Sequence, residues 1–210
     1  PGVADSLNRA SAATAAADLA VQVVAGATVH PGDDDPVMVV RRAVEDDGAR
    51  VLKLHCSVGR FDPLDPALVP VWDFVEETRL PVVVHAGRSP DGVGSGDDLL
   101  PLDETARRHP AARIVIAHCG NDHETDAVAI LDRHPNVHAD LTPVVNRLVQ
   151  VPAADAARLA DRLLFGTDAP NTEVTAARCR AHVEALGLAP EATSAILGGN
   201  ARRLVAEVAD

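Results

Sequence analysis

Four short runs end in a side chain able to bind a metal or move a proton. Leu80 to Gly87 reads Leu-Pro-Val-Val-Val-His-Ala-Gly, and Ile114 to Gly120 reads Ile-Val-Ile-Ala-His-Cys-Gly. Val51 to Cys56 reads Val-Leu-Lys-Leu-His-Cys, and Asp161 to Asp168 reads Asp-Arg-Leu-Leu-Phe-Gly-Thr-Asp. Apolar stretches of this kind, rich in β-branched residues, suit strands buried on both faces. Pro81 stands at a strand entry, where its missing N–H costs least. Each run therefore delivers its polar residue to the carboxyl end of a strand, the end at which parallel α/β sheets bind ligands. Side chains alternate along a strand, so Lys53 shares a face with His55, Val83 with His85, and Leu164 with Asp168. With the strands as parallel neighbours, His55, His85, His118 and Asp168 converge on one rim. Imidazoles with a carboxylate form a ligand set for a divalent cation.

Each residue also has a plainer explanation. A single histidine in such a run is as well explained by a hydrogen-bonded core residue, and it is the recurrence that favours ligation by His85 and His118. Asp168 is the sharper signal, because a buried carboxylate without a partner is costly. Its alternative, a helix N-cap, is better served by Asn171 or Thr172. Lys53 on a buried strand either pairs with a site carboxylate or is a modified ligand, and an internal ion pair is the plain alternative. His55 divides evenly between site and structure. His30, His109, His134, His138 and His182 have no supporting pattern and are read as solvated or structural, with His123 a lesser candidate.

The elements that must position these residues follow from periodicity and breakers. Strands are expected near residues 22, 52, 83, 115, 138 and 164, each followed by a helix, at a spacing of ~25–30 residues, the length of a βα unit. Helices are expected over 5–19, 37–47, 67–78, 102–108, 122–132, 153–159, 172–186, 191–196 and 201–208. Asp35-Pro36 opens the second of these and Asn200 caps the last. The stretch from Arg88 to Asp98, rich in Gly, Ser, Pro and Asp, is a loop long enough to be functional. Its Gly92-Val93-Gly94-Ser95-Gly96 lacks the third glycine and the following helix of a dinucleotide fingerprint. No nucleophile elbow or phosphate-binding loop occurs. The alternation defines an α/β fold in a single domain over residues 1–210.

Composition narrows the partners. The chain has 210 residues, 47% of them hydrophobic and 24% charged, which permits a sizeable core. A net charge of −12 with no tyrosine argues against nucleic acid or an anionic membrane as partner and leaves a small-molecule substrate. No apolar run approaches the ~18 residues of a membrane span, and the first residues do not read as a signal peptide. Cys56, Cys119 and Cys179 have no paired spacing, which reads as a reduced, cytoplasmic setting. Cys56 and Cys119 should point away from the rim and be inert.

These residues resemble the amidohydrolase-related family of metal-dependent hydrolases, (β/α)8 TIM barrels that also include aromatic-acid decarboxylases. Ala25-Gly26-Ala27-Thr28-Val29-His30-Pro31 is similar to the third strand of that barrel, Val51 to His55 to the fourth and Pro81 to Gly87 to the fifth. Ile116 to Gly120 is similar to the sixth, Asn136 to Leu141 to the seventh and Leu164 to Pro170 to the eighth. Leu197-Gly198-Gly199-Asn200-Ala201-Arg202-Arg203-Leu204 resembles the family's closing signature. The resemblance implies that His85 is a metal ligand and that His118 binds a second metal or polarises the reacting group. It makes Asp168 both ligand and proton shuttle, and the ion zinc, with manganese as an alternative. Arg60, Arg88 and Asn171 are expected on substrate-contacting loops, with Arg88 suited to a carboxylate.

The first two strands of the family's barrel have no counterpart. About six βα units are present, so the barrel is expected to be incomplete at its N-terminus, with open sheet edges and an exposed interior, and to associate as a homo-oligomer. Three functions are carried forward. The first is metal-dependent hydrolysis of an amide, ester or lactone. The second is non-oxidative decarboxylation on the same site. The third is a non-catalytic or oligomer-completed fragment acting through interaction.

Overall fold

The computed structural model describes residues 2–17, 21–87 and 98–209. Six strands, β1 (Gly26–Thr28), β2 (Val51–Leu54), β3 (Pro81–His85), β4 (Arg113–Ala117), β5 (Val137–Asp140) and β6 (Leu163–Leu164), form one sheet. All neighbours are parallel and the spatial order is the sequence order. Because the order never reverses, the sheet is an arc of a barrel rather than a doubly wound sheet. Helix α1 (Val3–Ala15) precedes it. The crossovers contain α2 (Pro36–Glu45), α3 (Cys56–Gly59), α4 (Val69–Thr78), α5 (Leu99–Arg108), α6 (Glu124–Arg133) and α7 (Ala153–Arg158). Helices α8 (Ala176–Glu184), α9 (Pro190–Ser194) and α10 (Asn200–Ala206) follow β6. No helix among the described residues is long and apolar enough to cross a membrane.

Alternation along the strands sorts the sheet into two faces. Leu52, Leu54, Val82, Val84, Ile114, Ile116, Val137, Ala139 and Leu163 are buried in the main core with Val39, Val40, Trp72, Phe74, Leu102 and Leu131 from the helices. The opposite face is set by register: Thr28, Lys53, Val83, Val115 and His138 form one rank across β1 to β5. Leu204 of α10 packs there against Val115 and Leu164, with Val83 and Ala201 beside them.

The open edges are less bare than the sequence predicts. At β1, Asn8 of α1 imitates a neighbouring strand: its Oδ1 accepts the Thr28 N–H at 2.8 Å and its Nδ2 donates to the Thr28 carbonyl at 3.0 Å. Ser11 Oγ accepts the Gly26 N–H at 3.0 Å. At β6, Asn200 Nδ2 donates to the carbonyls of Ala160 and Leu163 at 2.7 and 2.8 Å, and the Ile196 carbonyl accepts the Phe165 N–H. Side chains thus satisfy part of what a further strand would.

Several expected boundaries shift. The first strand is confined to Gly26–Thr28, whose outer edge is bonded by Asn8 and Ser11 of α1. Asn200 is the first residue of α10 in helical conformation, not its cap; Gly199 holds that position and Asn200 turns inward, fully buried. The eighth helix starts at Ala176, because Thr175, rather than Asn171 or Thr172, accepts the capping N–H from Arg178. His138, read from sequence among solvated or structural histidines, is buried, and its Nδ1 has no hydrogen-bond partner.

Two outcomes are expected. Asn200→Ala leaves two carbonyls at β6 without a donor and should lower unfolding free energy by about 1–3 kcal/mol in urea titrations. Burial holds His138 down to about 4 from 6.5, assisted by Arg162 and Arg203. Between those values the unfolded chain binds the extra proton, so stability falls as pH drops through this window, by up to ~1.4 kcal/mol per pH unit from this residue. His138→Phe should reduce that slope in melting curves taken from pH 7 to 4.

Candidate active site at the strand ends

The polar residues predicted from the strand-end pattern gather at the carboxyl end of the sheet. His55 follows β2, His85 ends β3, His118 follows β4 and Asp140 ends β5, with Asp168 beyond β6. The His55 and His85 rings stack at 4.1 Å between centroids, and His118 meets His85 edge to face at 5.0 Å. Three imidazoles from three adjacent strands therefore form a continuous row.

Backbone geometry explains how the row is held. Gly87, two residues past His85, has φ +87°, and a Cβ there would collide with the Gly120 carbonyl and the Asn121 oxygen. Only glycine lets the loop after β3 lie against the loop after β4, which sets His85 against His118. His118 and Cys119 are both in the left-handed region, at φ 55° and 45°, as is Asp168 at 52°. Left-handed non-glycine residues cost energy and concentrate at functional sites. In His118 the cost is offset by Asp140, whose Oδ1 accepts the N–H of His118 at 2.8 Å and of Thr142 at 3.1 Å. The Thr142 carbonyl lies 3.3 Å from His118 Nδ1. A carbonyl can only accept, so Nδ1 carries the proton and Nε2 presents its lone pair.

The electrostatics act most strongly on the middle imidazole, His85. Burial, then the neighbouring His55 and His118, pull His85 down to about 3, so it is an unprotonated imidazole at neutral pH. Burial also lowers Lys53, while the charges of Asp140 and Asp168 act the other way and favour its charged form. Lys53 thus sits where both rim carboxylates are felt. Burial pushes Cys56 and Cys119 up to about 12, so both stay as thiols at neutral pH; Cys119 is buried as expected, whereas Cys56 lies on the His85 side rather than away from the rim. Cys56 is only half-buried and lines a cavity of about 340 Å³ together with Ser57, Arg60, Phe61, His85 and Asp98.

Of the sequence-predicted residues, the structure brings His55, His85 and His118 into contact, with Lys53 in the rank below. Asp168 is half-buried at the rim, and its carbonyl accepts the N–H of the exposed Asn171 at 2.7 Å. Arg60 is exposed beside the cavity. Arg88 and the glycines of 92–96 lie outside the described residues. Asp140 escaped the sequence reading. It too is a carboxylate ending an apolar strand, which was the available signal, but its partners are backbone N–H groups on loops. Among the described residues, the trio of side chains whose ligand atoms all lie within 4.8 Å of one another is Asp73, Glu76 and His109, away from the rim. Glu76 is engaged there by His109 Nδ1 and the Ala111 N–H, and His109 stacks on Trp72.

A parallel arc with histidines and carboxylates at its strand ends is the architecture of metal-dependent TIM-barrel enzymes. The amidohydrolase family model matches residues 2–206, and the chain belongs to that family. No curated protein matches it. Among solved structures it is similar to an uncharacterised TIM-barrel protein from Bordetella bronchiseptica, at 23% identity over 95% of this chain and 72% of that one, TM-score 0.79. It is similar to 2,6-dihydroxybenzoate decarboxylase from Rhizobium, at 19% identity over 97% and 77%, TM-score 0.74. A third is 5-carboxyvanillate decarboxylase from Sphingomonas paucimobilis, at 16% identity over 95% and 71%, TM-score 0.72. Other matching structures have hydratase and hydrolase names. At these identities the likeness shows the fold.

Gly87→Ala should lower stability by about 1–3 kcal/mol through strain and collision. Gly48→Ala is the control, since Gly48 has φ +72° but open space around its Cβ position. A larger loss at Gly87 in urea titrations, with altered His85 and His118 ring resonances, is the expected result.

Proposed function

We propose that the chain is a metal-dependent hydrolase of a small molecule, cleaving an amide, ester or lactone bond at the rim of His85, His118 and Asp168. The observation that supports this reading best is the row of imidazoles in contact, with His85 held unprotonated at neutral pH. Metal ligation requires the neutral imidazole, and zinc and manganese both accept nitrogen with carboxylate oxygen. The donor types fit, and His85 and Asp168 would hold the ion with His118 beside them. A divalent ion there supplies Lewis-acid polarisation of substrate and water.

The chain's own groups do the rest. Asp168 takes the proton from the attacking water and returns it to the leaving group. His118 has its Nδ1 proton committed to Thr142, so its Nε2 is suited to ligation or proton acceptance; donating to a developing oxyanion requires the imidazolium. Lys53, with Asp140 and Asp168 acting on it, balances the rim's negative charge. Arg60, Asn171 and Arg88 complete the substrate-contacting set, the first of them beside His85 in the cavity.

A second reading is non-oxidative decarboxylation of a small carboxylic acid. Arg60 lining the His85 cavity favours it, since a guanidinium suits a carboxylate, and two of the similar structures are decarboxylases by name.

Metal content per chain after dialysis, followed by parallel assays for hydrolysis and for carbon dioxide release, tests both readings. Stoichiometric metal and a chelator-sensitive activity are expected. His85→Ala should remove the metal, and Asp168→Asn should lower kcat by ~10²–10⁴-fold with unchanged circular dichroism. Absence of both metal and activity would overturn the proposal.

A further inference from the structure

A second set of ligand-type side chains lies outside the sheet, between α4 and the turn that leads into β4. Asp73 and Glu76 stand three residues apart on α4 and so share one helix face. His109 closes α5. One ligand atom from each lies within 4.8 Å of the other two. Glu76 and His109 are half-buried and Asp73 is exposed. The mounts are fixed. The His109 ring stacks on Trp72 with 5.5 Å between centroids, and the indole N–H of Trp72 donates to the Pro63 carbonyl at 2.8 Å. Glu76 Oε1 accepts the Ala111 N–H at 3.0 Å, and its Oε2 lies 3.1 Å from His109 Nδ1. The His109 carbonyl accepts from Asn136 Nδ2 and from the Ala112 N–H.

The negative charge of this set is not answered. Among the described residues no arginine or lysine pairs with Asp73 or Glu76, and Asp73 has no hydrogen bond or ion pair at all. Asp103 also meets a histidine, His134, but there Arg133 neutralises the carboxylate. A hydrogen-bonded pair accounts for His109 and Glu76. It does not account for Asp73, since like charges on neighbouring turns of a helix repel. The spacing also suits an ion. Two donors each ~2.1 Å from one metal stand roughly 2.9–3.4 Å apart at octahedral to tetrahedral angles. The 3.1 Å between Nδ1 and Oε2 falls in that interval. Carboxylates that ligate metals are themselves held by hydrogen bonds, and the Ala111 N–H supplies one to Glu76.

We propose that Asp73, Glu76 and His109 form a site for a divalent transition-metal ion of zinc or nickel type, separate from the rim, that ties α4 to the turn entering β4. One imidazole with two carboxylates suits that class, whereas calcium and magnesium take oxygen donors. The ion takes the place of the proton that Nδ1 shares with Oε2, and that proton passes through solvent to Nε2. Three protein donors leave the remaining positions to water. Because Asp73 is exposed, the ion exchanges readily and dialysis strips it, so titration is the way to see it. The proposal stands apart from the reading of the rim.

Trp72 is the one tryptophan of the chain, which has no tyrosine, so intrinsic fluorescence reports on the ring that His109 covers. Titrating the dialysed full chain with nickel chloride should quench that emission saturably. His85→Ala should leave the curve unchanged, which separates this site from the rim. His109→Gln should abolish the quenching. Asp73→Asn alters a side chain with no other partner, so circular dichroism should be unchanged while nickel affinity falls about tenfold or more, the scale at which even groups behind a ligand matter. No saturable quenching in the unaltered chain, its loss in His85→Ala, or an Asp73→Asn curve equal to that of the unaltered chain would overturn the proposal.

Discussion

A sheet of six parallel strands wound in sequence order ends in two rows of backbone groups, and satisfying them is the constraint on which this structure depends. Asn8 closes one row from α1 and Asn200 the other from α10. These bonds fix where the first and last helices sit. The last helix in turn places Leu204 on the face opposite the main core, against Val115 and Leu164. That same face carries Lys53 and His138 in one rank with Val83 and Val115 between them. The polar ends of the sheet are therefore separated by a short apolar belt, and each end has its own electrostatics.

The two ends differ in how they treat charge. At the carboxyl end, burial and the two neighbouring imidazoles depress His85, and Asp140 spends its carboxylate on backbone N–H groups. The outcome is an unprotonated His85 in contact with two further imidazoles, beside carboxylates. At the amino end, Arg79 and Arg113 share Glu207, and Glu76 and Glu77 stand on the same cavity wall. Neither arrangement follows from net charge, which is strongly negative and describes the exposed surface.

Much of this was legible in the sequence, for a local reason. The strands announce themselves by β-branched runs, and the rim residues stand at the ends of those runs, so His85, His118 and Asp168 could be named before any contact was known. The regular alternation of strands and helices pointed to an α/β fold, while the barrel order rested on the resemblance to the amidohydrolase-related family. Asp140 was not legible in the same way, because its role is to accept N–H groups from two loops whose conformations are themselves the result of folding. The left-handed backbone at His118 and Asp168 leaves no mark on residue type. His138 looked ordinary because its setting is made by Arg162, Arg203 and Arg113, far apart in the chain. Asn200 misled: an asparagine before an apolar run resembles a helix cap, and here the edge of the sheet claimed its side chain instead.

The rim residues do not share equally secure mounts. His85 ends a five-residue strand paired along its whole length on one side with β4. Asp168 hangs four residues beyond β6, which has only two residues and one strand neighbour. Local opening follows the number of bonds and buried contacts that must be broken. Amide protons of β6 should then exchange with solvent well before those of β3 and β4. The carboxylate can detach from the rim by subglobal unfolding of the sheet's last strand while the three imidazoles stay in register.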